Sequence, residues 1–300
     1  MIELKNLTKQ FGDKLAVDNM NMQLKPGHVV GLIGQNGAGK TTTFRMMLDF
    51  IQPTRGTISW DGHAITNKDR QNIGFLPEER GLYQKLTVEQ QVLYFAELHG
   101  MKKADAKQQL QSWMKKLDVV GKVSDKVQSL SKGNAQKVQL IATVITEPSL
   151  LILDEPFTGL DPVNTQLMMN EILRLKQNGA HIIFSSHNMS GVEKLSDELL
   201  MLKRGKTVLS GELNTIRESF GRSEIYLESP ITDDQLLAIP GVLDVQKEGA
   251  GRHIKLSDSA VGKEIFTLVA KDGYVPVFSQ QPPTLDEIFR REVTGGNVNE

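Results

Sequence analysis

Gly34-Gln35-Asn36-Gly37-Ala38-Gly39-Lys40-Thr41-Thr42 fits the phosphate-loop pattern G-x-x-x-x-G-K-[ST] in full. The apolar run Val29-Val30-Gly31-Leu32-Ile33 precedes it, and the helix-like Thr43-Phe44-Arg45-Met46-Met47-Leu48 follows. This strand–loop–helix setting predicts a nucleotide site. The glycines let successive backbone N–H groups turn inward on a triphosphate. The following helix presents its positive end to the same anion. Lys40 is expected between the β- and γ-phosphates, and the Thr41 hydroxyl on Mg²⁺.

A second segment supplies complementary chemistry. Leu150-Leu151-Ile152-Leu153-Asp154-Glu155 is an apolar strand ending in two adjacent carboxylates. Such a strand suits the interior of a parallel sheet, whose C-terminal ends open on the ligand crevice. Successive side chains point to opposite sides, so the pair divides its roles. Asp154 is the expected Mg²⁺ ligand and Glu155 the expected general base towards water.

The chain has 300 residues, 39% hydrophobic and 24% charged, enough for a large domain and a smaller one. Its 35 basic and 36 acidic residues create no overall field to attract nucleic acid. Zero cysteines exclude disulfides and thiolate metal sites, in keeping with a reducing cytosol. No stretch approaches the roughly 18 apolar residues of a membrane span, and Met1-Ile2-Glu3-Leu4-Lys5 lacks a signal-peptide pattern. Any membrane in the protein's work is expected to come from another chain.

Short apolar runs recur between turn signals: Ile2 to Leu7, Met20 to Leu24, Thr57 to Trp60 and Ile73 to Leu76. Asp61-Gly62 reads as a hairpin turn. From Thr87 to about Leu117, Leu93, Phe95, Ala96, Leu98, Leu110, Trp113, Met114 and Leu117 fall at helical spacing, which predicts a helical insert. Strand-like runs return at Leu150–Leu153, His181–Phe184 and Leu199–Leu202, separated by helical segments. This alternation predicts an α/β core with a mainly parallel sheet. Past Phe220, strands are expected at Ile225–Leu227, Val242–Val245, His253–Leu256 and Val275–Val277, with helices at Thr232–Leu237 and Ala260–Val269. That βαββαβ order predicts a small α+β, ferredoxin-like domain. Pro283-Thr284-Leu285-Asp286-Glu287-Ile288-Phe289 reads as a capped helix. The expected division is 1–220, with a helical subdomain at about 85–135, and 221–300.

Over roughly its first 220 residues the chain resembles the ATP-binding subunits of ABC transporters, which are P-loop NTPases. Besides the two motifs above, Leu130-Ser131-Lys132-Gly133-Asn134 looks like a degenerate LSGGQ signature. Thr158-Gly159-Leu160-Asp161 follows as the D-loop and Ser185-Ser186-His187 as the switch-histidine segment. Phe11 sits where the family places an aromatic residue against adenine. The resemblance implies ATP and Mg²⁺ as ligands, ATP hydrolysis, and a homodimer in which each protomer's Ser131, Gly133 and Asp161 complete the other's ATP site. Ser131 also reads as a plain helix cap. In the family the switch histidine, here His187, hydrogen-bonds the γ-phosphate. His28, His63, His99, His181 and His253 lack such context and read as structural or surface residues.

Two departures stand out. Glu78, in Leu76-Pro77-Glu78-Glu79, occupies the usual Gln position of the Q-loop. It is expected to retain the metal-sensing role and to make the site more dependent on Mg²⁺. Lys132 replaces the first signature glycine and Asn134 the glutamine; Lys132 is either solvated or an added positive charge near the partner's ATP.

The Pro77–Tyr83 segment and the small C-terminal domain resemble exporter ATPases of the bacterial sodium-extrusion and multidrug types. The expected partner is a membrane permease gripped by the helical insert and the Q-loop, with the ATPase held peripherally at the cytoplasmic face of the membrane. Plain helical packing explains the insert's apolar positions equally well. A soluble ABC ATPase acting on ribosomes or nucleic acid is the alternative, disfavoured by a single phosphate loop and neutral charge, and a metabolic kinase is disfavoured by the signature and D-loop.

Overall fold

The computed structural model describes residues 1–79, 81–271 and 273–294. Arg80, within the segment Pro77–Tyr83 of the exporter resemblance, and residues 295–300 of the expected C-terminal domain lie outside the described residues. The chain separates into two compact units, Met1–Gly211 and Glu212–Glu300.

In the first unit the elements follow as β1 (Ile2–Phe11), β2 (Lys14–Leu24), β3 (Val29–Gly34), α1 (Lys40–Met47), β4 (Arg55–Trp60), β5 (His63–Ala64), α2 (Asn67–Arg70) and β6 (Ile73–Leu76). Then come α3 (Val88–Leu98), α4 (Lys103–Lys116), α5 (Lys132–Val144), β7 (Leu150–Leu153), α6 (Pro162–Gln177), β8 (His181–Ser185), α7 (Met189–Leu195), β9 (Glu198–Lys203) and β10 (Lys206–Glu212). Among the described residues these strands form one sheet in the order β5-β4-β1-β2-β10-β9-β3-β8-β7-β6. The half from β9 to β6 is parallel, whereas β1 pairs antiparallel with β2 and β4.

Parallel strands covered on both faces must be apolar throughout. All six residues of β3 and all four of β7 are buried. Helix α1 closes the core beside them, with Phe44 and Met47 fully buried in a cluster that includes Leu4, Leu24, Leu32 and Ile152. Asp61 and Gly62 carry φ of 46° and 83° between the paired residues Trp60 and His63, a primed hairpin turn.

The helical region differs in detail from its sequence pattern. It is two helices, α3 and α4, broken where Gly100 takes φ +82°. Thr87 caps α3 through a reciprocal box with Gln90. Val88, Val92 and Ala96 are buried, but Leu98, read as an inward position, is 57% exposed at the fraying end of α3.

The second unit contains α8 (Leu213–Ser219), β11 (Glu224–Glu228), α9 (Asp233–Leu237), β12 (Val242–Glu248), β13 (Gly251–Leu256), α10 (Val261–Ala270), β14 (Val277–Ser279) and α11 (Leu285–Thr294). Its sheet runs β12-β13-β11-β14 with antiparallel β12–β13, β13–β11 and β11–β14 pairings, the ferredoxin-like arrangement of a βαββαβ chain. Strand β14 starts two residues later than the apolar run suggested, because Pro276 has no N–H to give a ladder. Gly211, rather than residue 220, ends the first unit. Helix α8 is tied into the second unit by Arg217, whose guanidinium donates to the carbonyls of Pro283 at 3.0 Å and Pro282 at 3.3 Å. Thr284 and Glu287 form the expected cap at the start of α11: Glu287 Oε2 accepts the Thr284 N–H at 2.6 Å.

Candidate active site

The site follows from strand order. The parallel neighbours β3, β8, β7 and β6 end on one edge of the sheet, so whatever follows each strand converges there. After β3 comes the phosphate loop, after β7 Asp154 and Glu155, after β6 Pro77 and Glu78, and after β8 Ser186 and His187.

The loop is shaped by close backbone approach. Gly34 and Gly39 adopt φ of +152° and +115°. A Cβ at Gly34 would lie 2.5 Å from the Leu202 carbonyl oxygen, and one at Gly39 would lie 2.5 Å from that of Ala16. Only glycine fits at either position. Lys40 is 7% exposed, and its ammonium donates to the carbonyl oxygens of Gly34 at 2.7 Å and Gln35 at 3.3 Å. It is thereby held over the loop as an oriented cation.

Thr41 Oγ1 donates to Asp154 Oδ2 at 3.0 Å. The other carboxylate oxygen of Asp154 accepts from Ser185 Oγ at 2.5 Å, and that hydroxyl accepts the Glu155 backbone N–H at 2.9 Å. Ser185, fully buried, therefore ties the Asp154 carboxylate to the backbone of Glu155 across the β7–β8 boundary. In the sequence Ser185 belongs to the histidine segment with no role of its own; the parallel β7–β8 pairing brings this last residue of β8 to the Asp154 carboxylate and the Glu155 backbone. Glu155 has φ +50°, an uncommon region for a non-glycine residue of the kind concentrated at functional sites. Its Oε2 lies 2.9 Å from His187 Nδ1 and accepts from Thr158 Oγ1 at 3.4 Å. The Glu155 side chain is 8% exposed and that of His187 70%, so the histidine forms the solvent side of the pair.

A cleft of about 450 Å³ joins these groups. Its walls bring together Phe11, Asn36, Gly37, Gly39, Lys40, Thr41, Thr42, Glu78, Asp154, Glu155 and His187, as well as Lys14 and Ala16, which had carried no sequence signal. Phe11 is 48% exposed at the mouth, with Lys9 Nζ 4.9 Å from its ring centroid. Gly34, Gln35 and the buried Ala38 belong to the loop but do not line the cleft. Thr41, Asp154 and Glu78 offer hydroxyl and carboxylate oxygens to the cleft. That hard-oxygen set suits Mg²⁺, which takes one or two protein ligands and fills the remainder with water and phosphate.

Ser131, Gly133 and Asp161 are not cleft residues of their own chain. Ser131 is exposed at the N-terminus of α5 and accepts the Asn134 N–H at 3.3 Å. Gly133 faces the D-loop: a Cβ there would sit 3.6 Å from Leu160 and 3.8 Å from Asn164. Asp161 caps α6, and the Asn164 backbone N–H, first among several hydrogen bonds, holds its carboxyl below the usual range. Asn134 is pinned locally, accepting the Val120 N–H and donating to the Val120 carbonyl, each at 3.2 Å. Signature and D-loop thus form a second constellation outside the cleft, with Ser131 and Asp161 exposed. Lys132 is exposed at its tip.

Comparison with known proteins agrees with this geometry. Residues 17–158 match the ABC transporter family, and residues 211–293 match the C-terminal domain of DrrA1-3-like ATP-binding proteins. An ABC transporter ATP-binding protein of Bacillus subtilis, YhaQ, is 40% identical over 98% of this chain and 98% of its own. The Nod factor export ATP-binding protein I of Burkholderia orbicola is 29% identical over all of this chain and 98% of its own. Among solved structures, an ATP-binding subunit of an ABC transporter superposes with a TM-score of 0.69 at 30% identity, covering 74% of this chain and 93% of that one. The cleft, its two carboxylates and this likeness along the full length lead to one conclusion: the chain belongs to the ATP-binding proteins of ABC transporters, a family of ATPases.

Proposed function

We propose that this chain hydrolyses ATP as a homodimer and thereby drives export of a solute through a separate membrane permease. One observation carries the reading: Lys40, Thr41, Asp154, Glu155 and His187 line one cleft, while Ser131 and Gly133 of the same chain take no part in its lining. A second copy related by a twofold axis would bring its signature to the open side of each cleft.

In this reading Lys40 and the N–H groups of residues 35–42 hold the phosphates, and Phe11 stacks on the base. Thr41 and Asp154, with Glu78, would hold Mg²⁺, which supplies neutralisation of the developing phosphate charge. Glu155 takes the proton of a water molecule whose oxygen bonds to the γ-phosphorus as the bond to the bridging oxygen breaks, leaving ADP and phosphate. His187, whose Nδ1 lies 2.9 Å from Glu155 Oε2, orients that carboxylate and would hydrogen-bond the γ-phosphate. The partner's Ser131 hydroxyl and the N-terminus of its α5 add donors to the same phosphate, and Asp161 borders that junction.

Coupling requires a partner that prefers one dimer state over the other. A groove of about 370 Å³ lies beside the nucleotide cleft, with Phe50, Phe75, Leu82 and Phe95 among its lining residues. Pro77 lines this groove and the adjacent Glu78 lines the nucleotide cleft, so one short segment borders both. That arrangement supports docking of a permease segment in the groove, communicating with ATP through Pro77 and Glu78. Among the described residues no helix is long and apolar enough to cross a membrane. The chain in this reading works peripherally at the cytoplasmic face. Export rests on the printed role of the Nod factor relative.

Purification from detergent-solubilised membranes tests the partner. An integral membrane protein is expected to co-purify, and recovery with ribosomes or DNA instead would overturn the reading. Glu78→Gln tests the proposed metal site. Removing one carboxylate charge is expected to shift the Mg²⁺ concentration for half-maximal ATPase activity upward by severalfold. Superimposable Mg²⁺ curves would remove Glu78 from the metal's surroundings.

A further inference from the structure

The second unit holds a donor cluster unrelated to the nucleotide cleft. Strand β11 pairs with β13 so that Glu224 faces Lys255 and Tyr226 faces His253. Alternation sends Ile225, Leu227, Ile254 and Leu256 into the apolar core of the unit, so Glu224 and His253 share the opposite face. Helix α11 brings Glu287 and Arg291, four residues apart on one helix face, to the same place. One donor atom from each of Glu224, His253 and Glu287 lies within 4.8 Å of the others, and all three residues are half-buried.

From this geometry we propose that Glu224, His253 and Glu287 form a binding site for a borderline divalent cation of the zinc class, clamping α11 to the sheet. Three features point there. First, His253 Nε2 and Glu224 Oε2 are 3.4 Å apart, longer than an ordinary charge-assisted hydrogen bond. A cation about 2.1 Å from each of two tetrahedral ligands puts those ligands about 3.4 Å apart. Second, the carboxylates are oriented from outside the cluster, as metal ligands commonly are. Arg291 holds Glu224 through Oε1 at 2.5 Å, and Thr284 donates to Glu287 Oε2 through its N–H at 2.6 Å and its hydroxyl at 2.8 Å. Third, one imidazole with two carboxylates is a mixed nitrogen–oxygen set. It favours zinc-class ions over Mg²⁺, which prefers oxygen donors and retains its water. The site closes on elements separated by long stretches of chain, so an ion there would couple metal availability to the seating of the C-terminal helix.

The test uses the full-length, nucleotide-free protein stripped with a chelator. Titration calorimetry with zinc chloride is expected to show one tight site per chain. His253→Gln and Glu224→Gln should weaken it by more than about tenfold, the scale on which loss of even an orienting partner acts. Glu287→Gln should do the same while retaining the helix cap, since Gln serves that position too. X-ray absorption of the parent protein at one equivalent of zinc should show a single imidazole nitrogen among oxygen ligands, a readout independent of how the variants fold. Absence of micromolar zinc binding, unchanged affinity in all three variants, or a spectrum with several imidazoles would overturn the proposal.

Discussion

Glu155→Gln is expected to bind ATP as the parent does and to lose turnover by about 10²–10⁴-fold, the span ascribed to a positioned general base. Glutamine keeps the size and the contacts with Thr158 and His187, but its amide takes no proton from water. The neutral side chain also removes one negative charge from beside the triphosphate. Dimers arrested with ATP and Mg²⁺ should therefore accumulate. Phosphate release measures the first effect, and light scattering with and without ATP and Mg²⁺ the second. Full turnover in this variant would place the base elsewhere. A parent protein that hydrolyses ATP at full rate while strictly monomeric would remove the need for the signature outside the cleft.

Lys40→Ala is expected to act one step earlier, on binding itself. The ammonium is buried and held by the Gly34 and Gln35 carbonyls, so it meets the phosphates without a conformational search. Hydrogen bonds to charged groups contribute about 1.5–3 kcal/mol each, which corresponds to nucleotide affinity falling by about 10–100-fold. Fluorescent-nucleotide titration measures it. Methyl replacement leaves the loop's own shape intact, because that depends on Gly34 and Gly39 rather than on the lysine. Unchanged affinity with lost turnover would move Lys40 from binding to the chemical step.

The two clefts of the first unit differ in kind. The nucleotide cleft is walled by charged and hydroxyl groups, whereas the groove beside it is largely apolar and holds the buried Gln139, whose Nε2 donates to the Pro77 carbonyl at 3.2 Å. That hydrogen bond anchors the segment carrying Glu78 to α5, the helix that begins at Ser131. In the proposed reading this contact links the groove to both a metal ligand and the signature helix.

The phosphate loop and the strand ending in Asp154-Glu155 were legible in the sequence because their chemistry is local. A run of glycines with Lys40 and Thr41 states its conformation within nine residues, and an all-apolar strand closed by two acids states its burial. The βαββαβ order of the second unit was readable for the same reason, since turn residues and alternation lie within each hairpin. The break between α3 and α4 at Gly100, the exposure of Leu98 and the transfer of α8 to the second unit were not, because each depends on what packs against the segment.

What sequence alone determined, then, is the fold and the candidate reactive groups that it carries. Tertiary structure decided which groups meet. Parallel pairing of β7 with β8 sets Ser185 between the Asp154 carboxylate and the Glu155 backbone, and Ser131, exposed at the start of α5, lies outside the lining of its own cleft. Antiparallel pairing of β11 with β13 beneath α11 places His253, which read as a structural or surface histidine, beside Glu224 and Glu287. The physical reason is common to all three: spacing along the chain encodes local conformation, but side chains far apart in sequence come within bonding distance only through strand register and helix placement, which the whole core sets.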